Sequence, residues 1–327
     1  MNYEIIDCID AGTEFCPCHL AESEECLLCS QLQGKEFCDC KNWKGTCIYQ
    51  EFEWNNGKVQ QGRKYFNGRI VEKKYITDNV ILLNIKTDHY LCKNLLKPGS
   101  FIFLRNPNTH QYFDVPISIM ECNLKEDTLT MIIEIEGIKT KKIDLLKIEE
   151  DILLKGPFWN GIFGIKHINH CKEKSVMVLA RGIGQAPIIP LLKKLNNKGN
   201  RIFLLLDKGK YEEIFIQEYL STYHVQVIPI CTMINGKLTV ETIEKIEQLL
   251  IDEQVEHIHC AGPDILIKEI IALIKKRITT SCCNNAKMCC GEGVCGACTT
   301  RFEGQVVKRL CKLQTDPEYI FEGRRFI

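Results

Sequence analysis

Residues 175–207 read SVMVLARGIGQAPIIPLLKKLNNKGNRIFLLLD. Two apolar runs, SVMVLA (175–180) and RIFLLLD (201–207), bracket a glycine-bearing loop and a stretch of helical periodicity, APIIPLLKKLNN (186–197). Strand, crossover helix and second strand is the unit that joins parallel neighbours in a sheet buried on both faces. The pattern continues downstream. VQVIPI (225–230) and HIHCAG (257–262) read as strands, and YEEIFIQEYL (211–220), VETIEKIEQLL (240–250) and DILIKEIIALIKKR (264–277) as helices. This alternation predicts a doubly wound parallel sheet over 166–280. Upstream, residues 61–165 change register. GRIVEKKYI (68–76), NVILLNIKT (79–87), SFIFLR (100–105), PISIM (116–120), TLTMIIEIE (128–136) and DILLKG (151–156) are short β-branched runs separated by Gly, Pro, Asn and Asp turns. That pattern predicts an antiparallel barrel or sandwich. The fold class is therefore all-β followed by α/β.

The segments outside these two regions, 1–60 and 281–327, are rich in cysteine and glycine. The chain has 327 residues and 20 cysteines, eight between Cys8 and Cys47 and seven between Cys282 and Cys311. With 42 basic and 42 acidic side chains it has no electrostatic reason to seek nucleic acid or an anionic membrane. No segment approaches the roughly 18 uncharged apolar residues of a membrane helix. The opening run MNYEIIDCIDAG does not read as a signal peptide. A cytoplasmic protein with reduced thiols is expected, where clustered cysteines bind metal more often than they pair. The five cysteines in the middle, Cys92, Cys122, Cys171, Cys231 and Cys260, read as small core hydrophobes. The sequence is read as free of internal repeats and low-complexity tracts.

Residues 288–312 read MCCGEGVCGACTTRFEGQVVKRLCK. Cys290, Cys295, Cys298 and Cys311 are spaced C-x4-C-x2-C-x12-C, the plant-type spacing for a [2Fe–2S] cluster. Choosing Cys290 over Cys289 preserves the x4 gap. Gly291, Gly293 and Gly296 allow a tight wrap and free amides for the cluster sulfurs, and QVVKRLC (305–311) returns the fourth ligand on a strand. Structural zinc also takes four cysteines; the x4 gap and the glycines favour iron. In LARGIGQAPIIP (179–190), Gly182 and Gly184 permit close approach of a pyrophosphate to a helix start, with Pro187 in the first turn. Asp207, at the end of the second strand, reads either as an acceptor for a ribose hydroxyl or as a solvated strand end.

The run CGEGVCGACT with its distant fourth cysteine resembles the iron–sulfur module of the ferredoxin reductase superfamily. Within it, the run is similar to the module ending the electron-transfer subunit of dihydroorotate dehydrogenase and to that of the small subunit of NADH-dependent ferredoxin:NADP oxidoreductase. The resemblance spans roughly residues 64–327. It implies an FAD-binding β-barrel, then a nicotinamide-binding α/β domain, then the cluster. Val115, Pro116, Ile117, Ser118 and Ile119 resemble the family's R-P-[IL]-[ST]-[IL] segment, with Val115 in place of arginine. Ile132, Ile133 and Glu134 resemble the run whose backbone faces the flavin. GIKT, ending at Lys139 and Thr140, resembles a G-K-G-T turn suited to a pyrophosphate. KGPFWNGIFG matches G-P-L-G-N-G-F at Gly156, Pro157, Asn160 and Gly161, with Trp159 replacing glycine. RGIGQAP resembles the G-G-x-G-x-A-P loop, with Arg181 in place of a glycine, and CAGPD resembles the C-G-P turn beside the nicotinamide through Cys260, Gly262 and Pro263.

The N-terminal cysteines read C-x7-C-P-C-x7-C-x2-C-x8-C-x-C-x6-C. The close pairs Cys16/Cys18, Cys26/Cys29 and Cys38/Cys40 each have the spacing to chelate one metal, and structural zinc and a second iron–sulfur cluster both remain open. Trp43 and Tyr49 are expected to pack this module. The whole implies a redox protein carrying FAD, a [2Fe–2S] cluster and NAD(H), passing electrons between NAD(P)H and a partner oxidoreductase subunit. The alternatives are the dihydroorotate dehydrogenase electron-transfer subunit itself, and a cofactor-bearing scaffold or redox sensor that no longer binds nicotinamide.

Overall fold

The computed structural model describes residues 6–40, 43–275, 277–302 and 306–321. Among the described residues the chain divides into two compact units, 65–285, and 6–64 with 286–321. The first and last of the four segments distinguished by sequence thus belong to one unit.

In the larger unit the first sheet has seven strands: β1 (Lys64–Thr77), β2 (Val80–Lys86), β3 (Phe101–Arg105), β4 (Val115–Ser118), β5 (Glu121–Asn123), β6 (Thr128–Glu134) and β7 (Asp151–Phe158). Their order is β4-β3-β7-β1-β2-β6-β5, in a curled antiparallel half-barrel. Alternation along β6 sends Leu129, Met131 and Ile133 into the barrel core, while Ile132 joins the core of the second sheet with Val80 and Met120.

The second sheet contains β8 (Ile162–Phe163), β9 (Ser175–Arg181), β10 (Arg201–Asp207), β11 (Val225–Pro229), β12 (His257–Ala261) and β13 (Thr279–Cys283), in the order β11-β10-β9-β12-β13-β8. All its pairings are parallel except that of β13 with β8. The chain runs outward from β9 to β11 and then returns to the other side of β9, so the direction of winding switches between β9 and β12. Helices Ile189–Asn197, Val240–Asp252 and Asp264–Ile274 follow the expected stretches, with Lys276 outside the described residues. No helix among the described residues is long and apolar enough to cross a membrane.

Three readings need correction. YEEIFIQEYL forms only a four-residue helix, Gln217–Leu220. Phe215 and Ile216 are buried and the Phe215 amide donates to Gln185 Oε1, so tertiary contacts take over the donors a helix would use. Cys282 and Cys283 belong to β13, a strand in which Ser281 binds His257 and His259; its polar sequence hid it in the cysteine-rich tail. Cys231 is exposed rather than packed.

The smaller unit pairs the described ends of the chain. Asp7–Cys8 lies antiparallel to Leu313–Gln314, and Thr299–Arg301 forms a hairpin with Val307–Arg309. Its small apolar cluster consists of Ala21, Cys29 and Leu32, with Cys26, Ile48 and Phe52 against it. Leu20, Phe302, Leu310, Leu313 and Ile320 are also buried in this unit. Trp43 and Tyr49 stand exposed, against expectation.

Candidate functional site

A cleft of about 750 Å³ opens at the carboxyl ends of β9 and β12. This is the switch point where doubly wound sheets bind ligands. One wall is barrel: Pro116, Ile117, Ser118, Ile132, Ile133, Glu134 and Gly161. The other is Gly182, Gly184, Pro187, Gly262 and Pro263. Twelve residues singled out in five separate motifs thus line one cavity, of the size that holds cofactors.

The geometry explains the glycines. Gly182 has φ +58°, in the left-handed region, where it turns the chain out of β9. A Cβ at Gly184 would stand 2.5 Å from the Ala261 carbonyl oxygen, so only glycine lets this loop lie against the end of β12. Residues 182–188 form a 3-10 turn that runs into the helix from Ile189, whose amide donates to the Ala186 carbonyl.

The remaining motif residues stand behind the lining. Val115 packs against the barrel core. Lys139 Nζ donates to the Asp114 carbonyl at 2.8 Å, tethering the start of β4. Thr140 Oγ1 accepts the Glu136 amide at 3.1 Å and so serves the start of its own helix. Gly156 and Pro157 lie within β7, and Asn160 is buried. Cys260 is also buried, and burial pushes its thiol well above the ordinary range, so it is a neutral packing group rather than a nucleophile.

Several lining residues escaped the sequence reading. Lys210 reaches Glu134, and 3.1 Å to Glu136, tying the loop after β10 to the barrel strand. Cys283, Asn284 and Asn285 line the cleft as β13 ends. Asn285 Nδ2 donates to the Gly262 carbonyl at 2.7 Å and to Asp264 Oδ1 at 3.0 Å, and Asn284 Nδ2 to the Asn160 carbonyl at 2.7 Å. The adjacent asparagines fix both neighbouring turns; their signal in the sequence was only a polar pair after a strand not yet identified. Arg181 also lines the cleft, but its guanidinium is held by Asp207 and, at 3.2 Å, by Thr232 Oγ1. Asp207 is buried and also accepts the Gly209 and Thr232 amides, both at 2.7 Å. It is neither a solvated strand end nor an open ribose acceptor.

In the smaller unit the loop 290–298 turns its amides onto sulfur. Glu292 N and Cys295 N donate to Cys290 Sγ at 3.3 and 3.5 Å, and Cys311 N donates to Cys298 Sγ at 3.4 Å. The hairpin that follows brings Cys311 back beside Cys298; Gln305 lies outside the described residues. A hydrogen bond from the Cys311 thiol holds the Cys298 thiol below its ordinary range. Amides directed at thiolate sulfur fit the ligand sphere of an iron–sulfur cluster. Among the described residues no three metal-ligating side chains converge on a single ion position.

Beside this loop lies a buried quartet of charges that the sequence did not reveal. Asp10 accepts from Arg63 Nη2 at 2.6 Å and from Lys312 Nζ at 2.6 Å. Glu292 accepts from Arg63 Nη1 at 3.0 Å and from Lys312 Nζ at 3.2 Å. Burial would raise the Asp10 carboxyl, but Lys312 and Arg63 outweigh it and hold it at about 2. The quartet is neutral overall. It ties a residue of the N-terminal cysteine segment to Glu292, between Cys290 and Cys295, and to Lys312, next to Cys311.

No protein-family model matches the chain. It is 25% identical over 240 residues to the electron transfer subunit of dihydroorotate dehydrogenase B (NAD(+)) of Streptococcus mutans, covering 73% of this chain and 89% of that protein. Its fold is similar to that of the NADH-dependent reduced ferredoxin–NADP oxidoreductase, with TM-score 0.60 and 21% identity over 75% of this chain and 85% of that one. It is also similar to ferredoxin–NADP+ reductase of Plasmodium falciparum, with TM-score 0.50 and 19% identity over 65% of this chain and 93% of that one. The chain thus has the fold of the ferredoxin reductase superfamily and resembles, in sequence, the electron transfer subunits of dihydroorotate dehydrogenase B.

Proposed function

We propose that this chain is an electron-transfer flavoprotein subunit, an oxidoreductase component that moves electrons between NAD(P)H, FAD and a [2Fe–2S] cluster and exchanges them with a partner oxidoreductase in the cytoplasm. The observation that carries this reading is the shared cleft, in which the barrel motifs and the nicotinamide-type loop and turn line one cavity. The flavin would lie against Pro116–Ser118 and the backbone of Ile132–Glu134. The dinucleotide phosphates would sit on the amides after Gly182, and the nicotinamide beside Gly262 and Pro263. Cys290, Cys295, Cys298 and Cys311 would hold the cluster. Bound flavin supplies chemistry no side chain has, taking two electrons together and releasing them singly. The chain's own part is to position it, to keep water from the apolar wall of Ile117, Ile132 and Ile183, and to set phosphate charge on oriented amides. Similarity to the dihydroorotate dehydrogenase B subunit supports that partner chemistry as the narrower form of the reading.

The test is an anaerobic spectrum of the purified chain, in which flavin and iron–sulfur absorbance bleaches on adding NADH. Absence of both chromophores would sink the proposal. Arg181 favours a second reading, a cofactor-bearing scaffold or redox sensor, because a large side chain lines the cleft where similar loops have glycine. In that case NADH leaves the flavin oxidised while dithionite reduces it.

A further inference from the structure

We propose that Cys29, Cys38, Cys40 and Cys47 form a tetrahedral site for a single zinc ion. These four cysteines line one small cavity, together with Leu28 and Ile48. The cavity holds about 20 Å³, room for one water-sized body and too little for a polynuclear core. Cys38 Sγ and Cys40 Sγ stand 3.9 Å apart. Zinc with four sulfurs at about 2.3 Å sets its ligands about 3.8 Å from one another. This pair is therefore already at ligand separation. Cys40 is also near enough to Cys47 and Cys29 for the charge of each to act on it. Among the described residues no three ligands yet meet at one ion position. Cys29 and Cys47 complete the set by turning about their single side-chain torsion.

The fold holds the ligand loop ready. Ser30, buried and next to Cys29, donates its hydroxyl to the Phe37 carbonyl at 2.8 Å and accepts the Asp39 amide at 2.8 Å. One side chain thus grips the backbone on both sides of Cys38 and fixes the Cys38–Cys40 turn beside Cys29. Cys47 precedes the helix Ile48–Trp54, and Ile48 and Phe52 of that helix pack against Ala21, Cys29 and Leu32. The last ligand is thereby tied to the first.

This ligand set departs from the pairing that spacing suggests. The x2 gap marks Cys26 and Cys29 as chelating partners, but Cys26 lines a different cavity with Cys8, Cys16 and Cys18, and its sulfur accepts the Cys29 amide at 3.5 Å. The Cys38 and Cys40 thiols are exposed. Zinc suits such a pair, because the ion has no redox chemistry of its own. Its binding displaces the thiol protons of all four cysteines.

The test is the zinc content of the full chain, purified without oxygen or chelators from zinc-supplied cells. The double variant Cys38→Ser, Cys40→Ser should hold one zinc fewer per chain. Zinc X-ray absorption on the unmutated chain, which requires no variant to fold, should show four sulfurs at about 2.3 Å. Ser30→Ala keeps all four thiols and should weaken zinc binding about tenfold or more, measured by competition with a chromogenic chelator. An unmutated chain without zinc, equal zinc in the double variant, iron at these cysteines or a Cys38–Cys40 disulfide overturns the proposal. None of these readouts involves flavin, so a failure of the flavoprotein reading leaves this one standing.

Discussion

Replacing Lys312 with methionine removes one cation from the buried quartet and leaves Asp10 and Glu292 sharing Arg63. Lys312 is 0% exposed and Asp10 1%, so water does not repair the loss. Against its burial, Asp10 is held at about 2 first by Lys312 and then by Arg63, so the variant loses the main charge that keeps it ionised and its carboxyl shifts upward. Breaking a buried pair in this way costs about 3–5 kcal/mol, because a charge is left without compensation. Asp10→Asn leaves the opposite excess at similar cost. The double variant is neutral again and keeps the 3.0 Å pair between Arg63 and Glu292. Its cost should therefore fall below the sum of the singles by about 2–3 kcal/mol. Hydrogen exchange on the full chain, read on peptides from residues 6–40 and 286–302, measures the opening free energy of that unit. Lys172→Met, at an exposed ion pair with Glu173, serves as a control that should change by less than about 0.5 kcal/mol. Single variants within 1 kcal/mol of the unmutated chain on this scale, or a strictly additive double, would refute the view that the quartet locks the cysteine segment to the cluster loop.

The larger unit should weaken in mild acid. Burial holds His257 and His259 at about 3 rather than 6.5, so both are neutral when folded and bind protons only on unfolding. Their contribution is complete above pH 6.5 and falls with pH at about 2.7 kcal/mol per unit for the pair, down to about pH 3; a urea midpoint that does not move between pH 7 and 5 contradicts this. Gly184→Ala forces a Cβ against the Ala261 carbonyl, costing about 1–3 kcal/mol and weakening NADH binding, to be read by thermal unfolding and NADH titration. Arg181→Met leaves buried Asp207 with only neutral donors and should cost about 2–3 kcal/mol in chemical unfolding, a loss that Arg181→Lys repairs incompletely.

What the sequence disclosed follows the range of the forces involved. The strands of both sheets were legible because burial of alternate or continuous β-branched residues is written locally, as in VILLNIK and RIFLLLD. The cleft was legible because its walls are backbone turns, and a turn that demands glycine, as at Gly182, carries its own mark. Side-chain partners distant in sequence left no mark. Asp207 is claimed by Arg181 and Thr232, from other strands and loops. Thr279 and Ser281 look like loop residues until His257 and His259 are seen beside them. Phe215 and Ile216 keep a helical pattern yet are drawn into the core instead. The pairing of Cys8 with Leu313 joins distant parts of the chain that no local period connects.

The two units are held together by different means, and this bears on what each can do. In the larger one, continuous apolar clusters run through the barrel and the parallel sheet, so its cleft is preformed and a cofactor need only occupy it. In the smaller one the cluster of Ala21, Cys29 and Leu32 is small, and Leu20, Phe302, Leu310, Leu313 and Ile320 are buried besides it. Buried ion pairs give such a unit specificity of pairing more than net stability, because desolvation consumes most of their attraction. The quartet therefore fixes how the cysteine segment meets the cluster loop without supplying the energy to fold it. Thiolate ligation at the proposed C-terminal site would add to the unit's stability, because metal binding to a site absent from the unfolded chain is folding free energy. Under the proposed function, folding of the smaller unit would be coupled to loading of metal on its cysteines, whereas the cleft of the larger unit is held by that unit's own apolar cores.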